Sequence, residues 1–161
     1  MPPEVRNSMP EGPRKSLGLK YDLAGTSREG GEPVAGTVVL VVDDDADITR
    51  WASAVLASRG MTAVAAYDPI QGFLVAQRQN PRLILVDWHM PAGGGPQLLR
   101  KLRDNPKTAQ IPVIVVTADS APNIRDEAAA LGAKMFLHKP LDPDKLVELI
   151  RRVVPEVSAG S

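Results

Sequence analysis

Leu83-Ile84-Leu85-Val86-Asp87-Trp88-His89-Met90-Pro91 decides how this chain is read. Four aliphatic residues in succession form a strand covered on both faces, since a strand with one wet face would alternate. The run stops at a carboxylate, which is thereby presented at a rim and not merely solvated. Three other apolar runs stop the same way: Val38–Val42 at Asp43-Asp44-Asp45, residues 112–116 at Thr117, and Met135–His138 at Lys139. If the strands run parallel, all four ends converge on one rim. The rim then holds a tri-aspartate cluster, a single aspartate, a hydroxyl and a lysine, which is the chemistry of a metal-assisted phosphoryl site.

Between the strands the sequence alternates with helices. Ile48, Trp51, Ala52, Val55 and Leu56 recur at helical spacing, Asp45 stands where a cap belongs, and Gly60 supplies a stop. Residues 61–66 form a second strand. Asp68-Pro69 reads as cap and first helical residue ahead of Ile70, Phe73 and Leu74. Gly95-Pro96 opens a third helix with Leu98, Leu99 and Leu102; residues 123–131, closed by Gly132, form a fourth; and Asp142-Pro143 caps a fifth carrying Leu146, Leu149, Ile150 and Val153. Strands separated by helices imply right-handed crossovers and a doubly wound (βα)5 sandwich, helices on both faces of a parallel sheet.

Composition narrows the class. The chain has 161 residues, 43% of them hydrophobic, enough for one ordinary domain with a buried core. Nineteen acidic residues balance nineteen basic ones, so no net field recommends nucleic acid or an anionic membrane as partner. Without cysteine there is no thiolate or disulfide chemistry, and no run approaches the ~20 apolar residues of a membrane span. A soluble cytoplasmic protein is expected. Residues 1–36 contain five prolines and six glycines with little apolar periodicity, and read as a disordered tail in which residues 17–23 alone carry a docking-peptide pattern. The folded domain is expected over residues 37–154, followed by a short tail of residues 155–161, too few for an output domain.

Val41-Val42-Asp43-Asp44-Asp45, Leu85-Val86-Asp87-Trp88-His89-Met90-Pro91, Val115-Val116-Thr117-Ala118 and Leu137-His138-Lys139-Pro140 together resemble the motifs of the receiver domain of two-component response regulators. The resemblance covers about residues 37–154 and implies strand order 2-1-3-4-5. It also implies that Asp87 is a phosphoacceptor for a histidine kinase or histidine phosphotransfer protein. Asp44, Asp87 and the backbone carbonyl of His89 match positions that ligate Mg²⁺, and Asp43 matches the acid that holds the ion through water. Thr117 and Lys139 match the groups that bond phosphoryl oxygens, and Thr117 with Phe136 matches the switch pair. His89 and Asp119 match positions that tune the lifetime of the phosphoryl group, and Lys139-Pro140 matches a cis bond. Such a domain is not a conventional enzyme; it catalyses its own phosphorylation and dephosphorylation. A downstream protein or a second copy is expected on the face made by the fourth helix, fifth strand and fifth helix.

Departures and rivals can be read from the residues. Phe136 lacks the hydroxyl of the more usual tyrosine, and glycines replace the usual pair in the loop after Asp87. An EF-hand would need glycine at Ile48 and glutamate at Ala54, and a haloacid-dehalogenase-like motif would need Thr or Val at Asp47. Gly93-Gly94-Gly95 does not extend to a dinucleotide fingerprint. The remaining alternative is a non-phosphorylated pseudo-receiver that serves as a docking module. Carboxylates crowded together must raise their pKa values or recruit a hard cation, and Mg²⁺ is the cation that suits oxygen ligands beside a phosphate.

Overall fold

The computed structural model of the protein describes residues 37–91 and 93–154. The expected tails, residues 1–36 and 155–161, lie outside the described residues, as does Ala92. Five strands, β1 (Val38–Val42), β2 (Thr62–Ala66), β3 (Leu83–Asp87), β4 (Val113–Thr117) and β5 (Met135–His138), alternate with α1 (Ala46–Ser58), α2 (Pro69–Gln79), α3 (Gly94–Arg103), α4 (Pro122–Ala130) and α5 (Pro143–Val153). All neighbouring strands pair in parallel in the order β2-β1-β3-β4-β5. The fold is the expected doubly wound sandwich.

The aliphatic runs occupy the middle of the sheet. β3 and β4 are buried throughout, whereas edge strand β2 is buried only at Ala66 and edge strand β5 only at Leu137. Alternate residues of the central strands feed two separate cores. Val39, Val41, Leu83, Leu85, Ile114 and Val116 pack with α1 and α5; Leu40, Val42, Ile84, Val86, Val113 and Val115 pack with α2, α3 and α4. Covering both faces is what forces the hydrophobic runs to be continuous.

Local signals set most helix starts. Asp45, Asp68 and Asp142 each cap a helix, their side chains accepting from the amides of Asp47, Gln71 and Lys145. The pattern misplaces one face. Ile70 and Leu74, expected in the core, are 56% and 47% exposed. The helix instead buries Gly72 and Ala76, because an ideal Cβ on Gly72 would already lie 3.1 Å from Val42 and 3.2 Å from Leu98. The backbone of α2 lies so close to the sheet that small residues face it; Phe73 and Val75 pack half-buried at the side of the second core, and Ile70 and Leu74 are turned outward.

The loop after Asp87 folds back on itself. Gly93 and Gly94 have φ of +91° and +59°, and the Gly95 amide donates to the Trp88 carbonyl at 2.9 Å. An ideal Cβ on Gly94 would lie 2.4 Å from that carbonyl oxygen, so both conformation and space demand glycine. Gly94→Ala is expected to cost about 1–3 kcal/mol in urea denaturation. Gly132→Ala, also at positive φ but with nothing within 4 Å of the added atom, should cost less. Equal losses would mean that the contact with the Trp88 carbonyl does not control the loop.

Candidate functional site

Register brings the polar strand ends level. Val42 pairs with Val86, Asp87 with Val116, and Thr117 with His138. The ladders run one residue past the strands: Asp43, Trp88 and Lys139 donate their amides to Ala66, Val116 and Thr117 at 3.1, 2.9 and 2.8 Å. The side chains that follow each strand are therefore anchored by the sheet and not by loop conformation.

Asp43, Asp87 and Thr117 are buried, at 3%, 7% and 0% exposure, while Asp44 is exposed. Carboxylate oxygens of Asp43, Asp44 and Asp87 all lie within 4.8 Å of one another. Both oxygens of the Asp43 carboxylate are engaged: Oδ1 accepts the Asp45 amide at 2.9 Å and Oδ2 accepts Lys139 Nζ at 3.0 Å. Lys139 Nζ also stands 3.5 Å from Asp87 Oδ1, so one ammonium serves two buried carboxylates.

The electrostatics follow. Burial, then the charge of Asp43 and more weakly that of Asp44, push the Asp87 carboxyl from 3.8 up to about 6, against the opposing pull of Lys139 and the His89 amide. At neutral pH Asp87 is still largely ionised and fit to act as a nucleophile. Burial alone would lower Lys139, but the hydrogen bond to Asp43 and the charges of Asp87 and Asp43 outweigh it and hold the ammonium above its ordinary value.

The hydroxyl of Thr117 accepts the Asp119 amide at 3.0 Å, which leaves its own proton available to an incoming oxygen. His89 Nε2 lies 2.9 Å from Asp119 Oδ2, and Asp119 Oδ1 accepts the Ala121 amide at 2.8 Å. The Ala121 amide, followed by the His89 hydrogen bond, lowers the Asp119 carboxyl. The sequence singles out His89 and Asp119 separately; that they join the loops after β3 and β4 emerges only in three dimensions. Phe136 lies on β5, half-buried against the second core, and Lys139-Pro140 is cis as expected. Trp88 is buried beside Asp87 and packs in the second core.

The donor set fits Mg²⁺. It consists of hard oxygens only, with Asp44 exposed and Asp87 at the rim; Asp43, already committed to Asp45 and Lys139, suits an outer role.

A family model described as "Response regulator receiver domain" matches residues 39–151. The chain is 30% identical over 127 residues to the phosphate regulon transcriptional regulatory protein PhoB of Pseudomonas aeruginosa, covering 79% of this chain and 56% of that protein. It is 31% identical over 114 residues to an uncharacterized 14.6 kDa protein of Leptolyngbya boryana, covering 71% of this chain and 87% of that one. The chain thus spans about half the length of its PhoB relatives. Among solved structures, the chemotaxis response regulator CheY4 of Vibrio cholerae superposes with a TM-score of 0.69 at 28% identity, covering 73% of this chain and 98% of that one. A CheY-like receiver domain protein from Methanospirillum hungatei gives a TM-score of 0.70 at 24% identity, covering 78% of this chain and 98% of that one, a likeness of fold.

The raised Asp87 carboxyl has a signed consequence for stability. Its folded value lies above its unfolded one, so its contribution is fully present below 3.8 and is lost as pH rises through about 6. In metal-free buffer, wild type should therefore lose stability relative to Asp87→Asn across that interval. Discounted for solvent screening at the rim, the loss is about 1–2 kcal/mol. Urea denaturation of both proteins from acid to neutral pH measures it; parallel profiles would show that Asp87 is not held in a charge-crowded site.

Proposed function

Because the chain belongs to the response regulator receiver domain family, we propose that Asp87 is its phosphoacceptor and that the domain serves as a phosphoryl-operated switch in a two-component system. The observation that carries this reading is the rim itself: a buried, still ionisable carboxylate flanked by two acids, a buried hydroxyl and a lysine shared with one of those acids. An Asp87 oxygen attacks the phosphorus of a phosphohistidine on a histidine kinase or histidine phosphotransfer protein. The new O–P bond forms as the P–N bond breaks; the departing electron pair remains on the ring nitrogen, and a proton already on the other ring nitrogen makes the leaving imidazole neutral. The product is an aspartyl phosphate. Hydrolysis later returns Asp87 and inorganic phosphate, so the domain acts on itself and is not a conventional enzyme.

Each neighbour has a part. Lys139 meets the phosphoryl group as a compact point charge. Thr117 donates its hydroxyl proton to a phosphoryl oxygen. Asp44, Asp87 and the His89 carbonyl would hold Mg²⁺, with Asp43 behind them, and the bound ion supplies charge neutralisation between anionic nucleophile and anionic phosphoryl group. When Thr117 engages the phosphoryl oxygens, the loop after β4 is drawn inward and Phe136 turns toward the core. This biases a two-state surface formed by α4, β5 and α5, where a downstream protein or a second copy binds. The reading has the chain act in the cytoplasm, compatible with its cysteine-free composition. Among the described residues no helix is long and apolar enough to cross a membrane.

Metal binding can be followed apart from phosphorylation. In a Trp51→Phe background, Mg²⁺ should quench Trp88 fluorescence, and Asp44→Asn should weaken the titration about tenfold or more. A folded protein whose emission ignores Mg²⁺ would count against the metal site.

Mass spectrometry after incubation with a small phosphodonor tests the acceptor. A Mg²⁺-dependent adduct should form on Asp87 and vanish in Asp87→Asn, which keeps the shape and removes the anionic nucleophile. Thr117→Ala should still accept phosphate yet bind its target no better for it. An adduct elsewhere, or none under any Mg²⁺ condition, would leave the docking module as the better reading.

A further inference from the structure

Helix α4 is more lightly anchored than α5, the other helix of the proposed switch. It is alanine-rich, buries only Ile124 and Ala128, and starts at Ala121 without a side-chain cap. Arg125 lies on it, exposed, and makes no ion pair among the described residues. Its neighbours Asp126 and Glu127 cannot face it, because adjacent helical positions diverge. The guanidinium carbon instead sits 4.8 Å from the centroid of the Phe136 ring, within the ~6 Å of a cation–π contact.

Phe136 stands opposite Val115, two residues before Thr117, and packs against the second core, which includes Ile124 and Ala128. The core thus holds one side of the ring while Arg125 covers another. Rotation of Phe136 into the core would carry the ring away from the guanidinium, and Arg125 makes no ion pair among the described residues that offsets the loss. A cation engaged by the ring in one state and not in the other favours the first by its differential interaction.

We infer that Arg125 is a positioning residue that latches Phe136 and thereby sets the threshold for switching. The latch rests on the proposed function, since it governs the rotation that phosphorylation is to drive. It gives Arg125 a role that does not depend on an acidic partner, and it gives the proposed switch a polar contact on an aromatic that has no hydroxyl.

The test is a titration with Mg²⁺ and beryllium fluoride as phosphoryl mimic, followed by NMR at the Phe136 ring. Arg125→Gln should bind the mimic about 2–5-fold more tightly than wild type, the factor corresponding to ~0.5–1 kcal/mol for an exposed cation–π contact. Arg125→Lys should restore most of the wild-type threshold. In a Phe136→Leu background, Arg125→Gln should have no further effect, because the latch has lost its ring. Unchanged or weaker binding by a folded Arg125→Gln, or the same gain without Phe136, would overturn the latch alone. A wild type that does not bind the mimic would overturn both the latch and the function on which it rests.

Discussion

One ammonium between two buried carboxylates is the constraint on which the site depends. Lys139 lies 3.0 Å from Asp43 and 3.5 Å from Asp87, in a place where water cannot screen either acid well. Without that cation, Asp43 and Asp87 would repel at close range and one of them would hold its proton at neutral pH. With it, Asp87 rises only to about 6. The carboxylate therefore stays ionised while remaining crowded by negative charge, and crowding of that kind favours both a divalent cation and a reaction that disperses charge.

This balance is made by the sheet. The three residues that matter most stand at the ends of three strands, β1, β3 and β5, which are separated by long crossovers; β1 pairs directly with β3, and β4 joins β3 to β5. A slip of one residue in any strand would turn its terminal side chain to the other face. The two aliphatic cores resist such slips because each central strand is committed on both faces. Stability far from the rim thus appears at the rim as precision. The elements a switch would use are lightly held: α4 buries two residues, and the side chains of His89 and Asp119 tie the loop after β3 to the loop after β4.

Much of this was legible in the residues. Continuous runs such as Leu83 to Val86 announce a covered parallel strand, and Asp-Pro pairs at Asp68 and Asp142 mark helix starts, because both signals arise from local chemistry. Strand ends carrying Asp43, Asp44, Asp87, Thr117 and Lys139 could be gathered on one rim by topology alone. Three things were not legible. Ile70 and Leu74 look like core residues by period, yet close packing at Gly72 sets the helix differently. His89 and Asp119 are thirty residues apart, so their pairing depends on how two loops lean together. Arg125 carries no signal in the sequence, and only the packing of α4 against β5 puts it over Phe136.

The central claim is that Asp87 is an ionised nucleophile held in a charge-crowded cage with room for a divalent cation. A carbon-detected NMR titration of the Asp87 carboxyl tests this most directly. The account predicts a midpoint of about 6 in metal-free protein, displaced to lower pH when Mg²⁺ is added. A midpoint at the ordinary 3.8, or one indifferent to Mg²⁺, would contradict it.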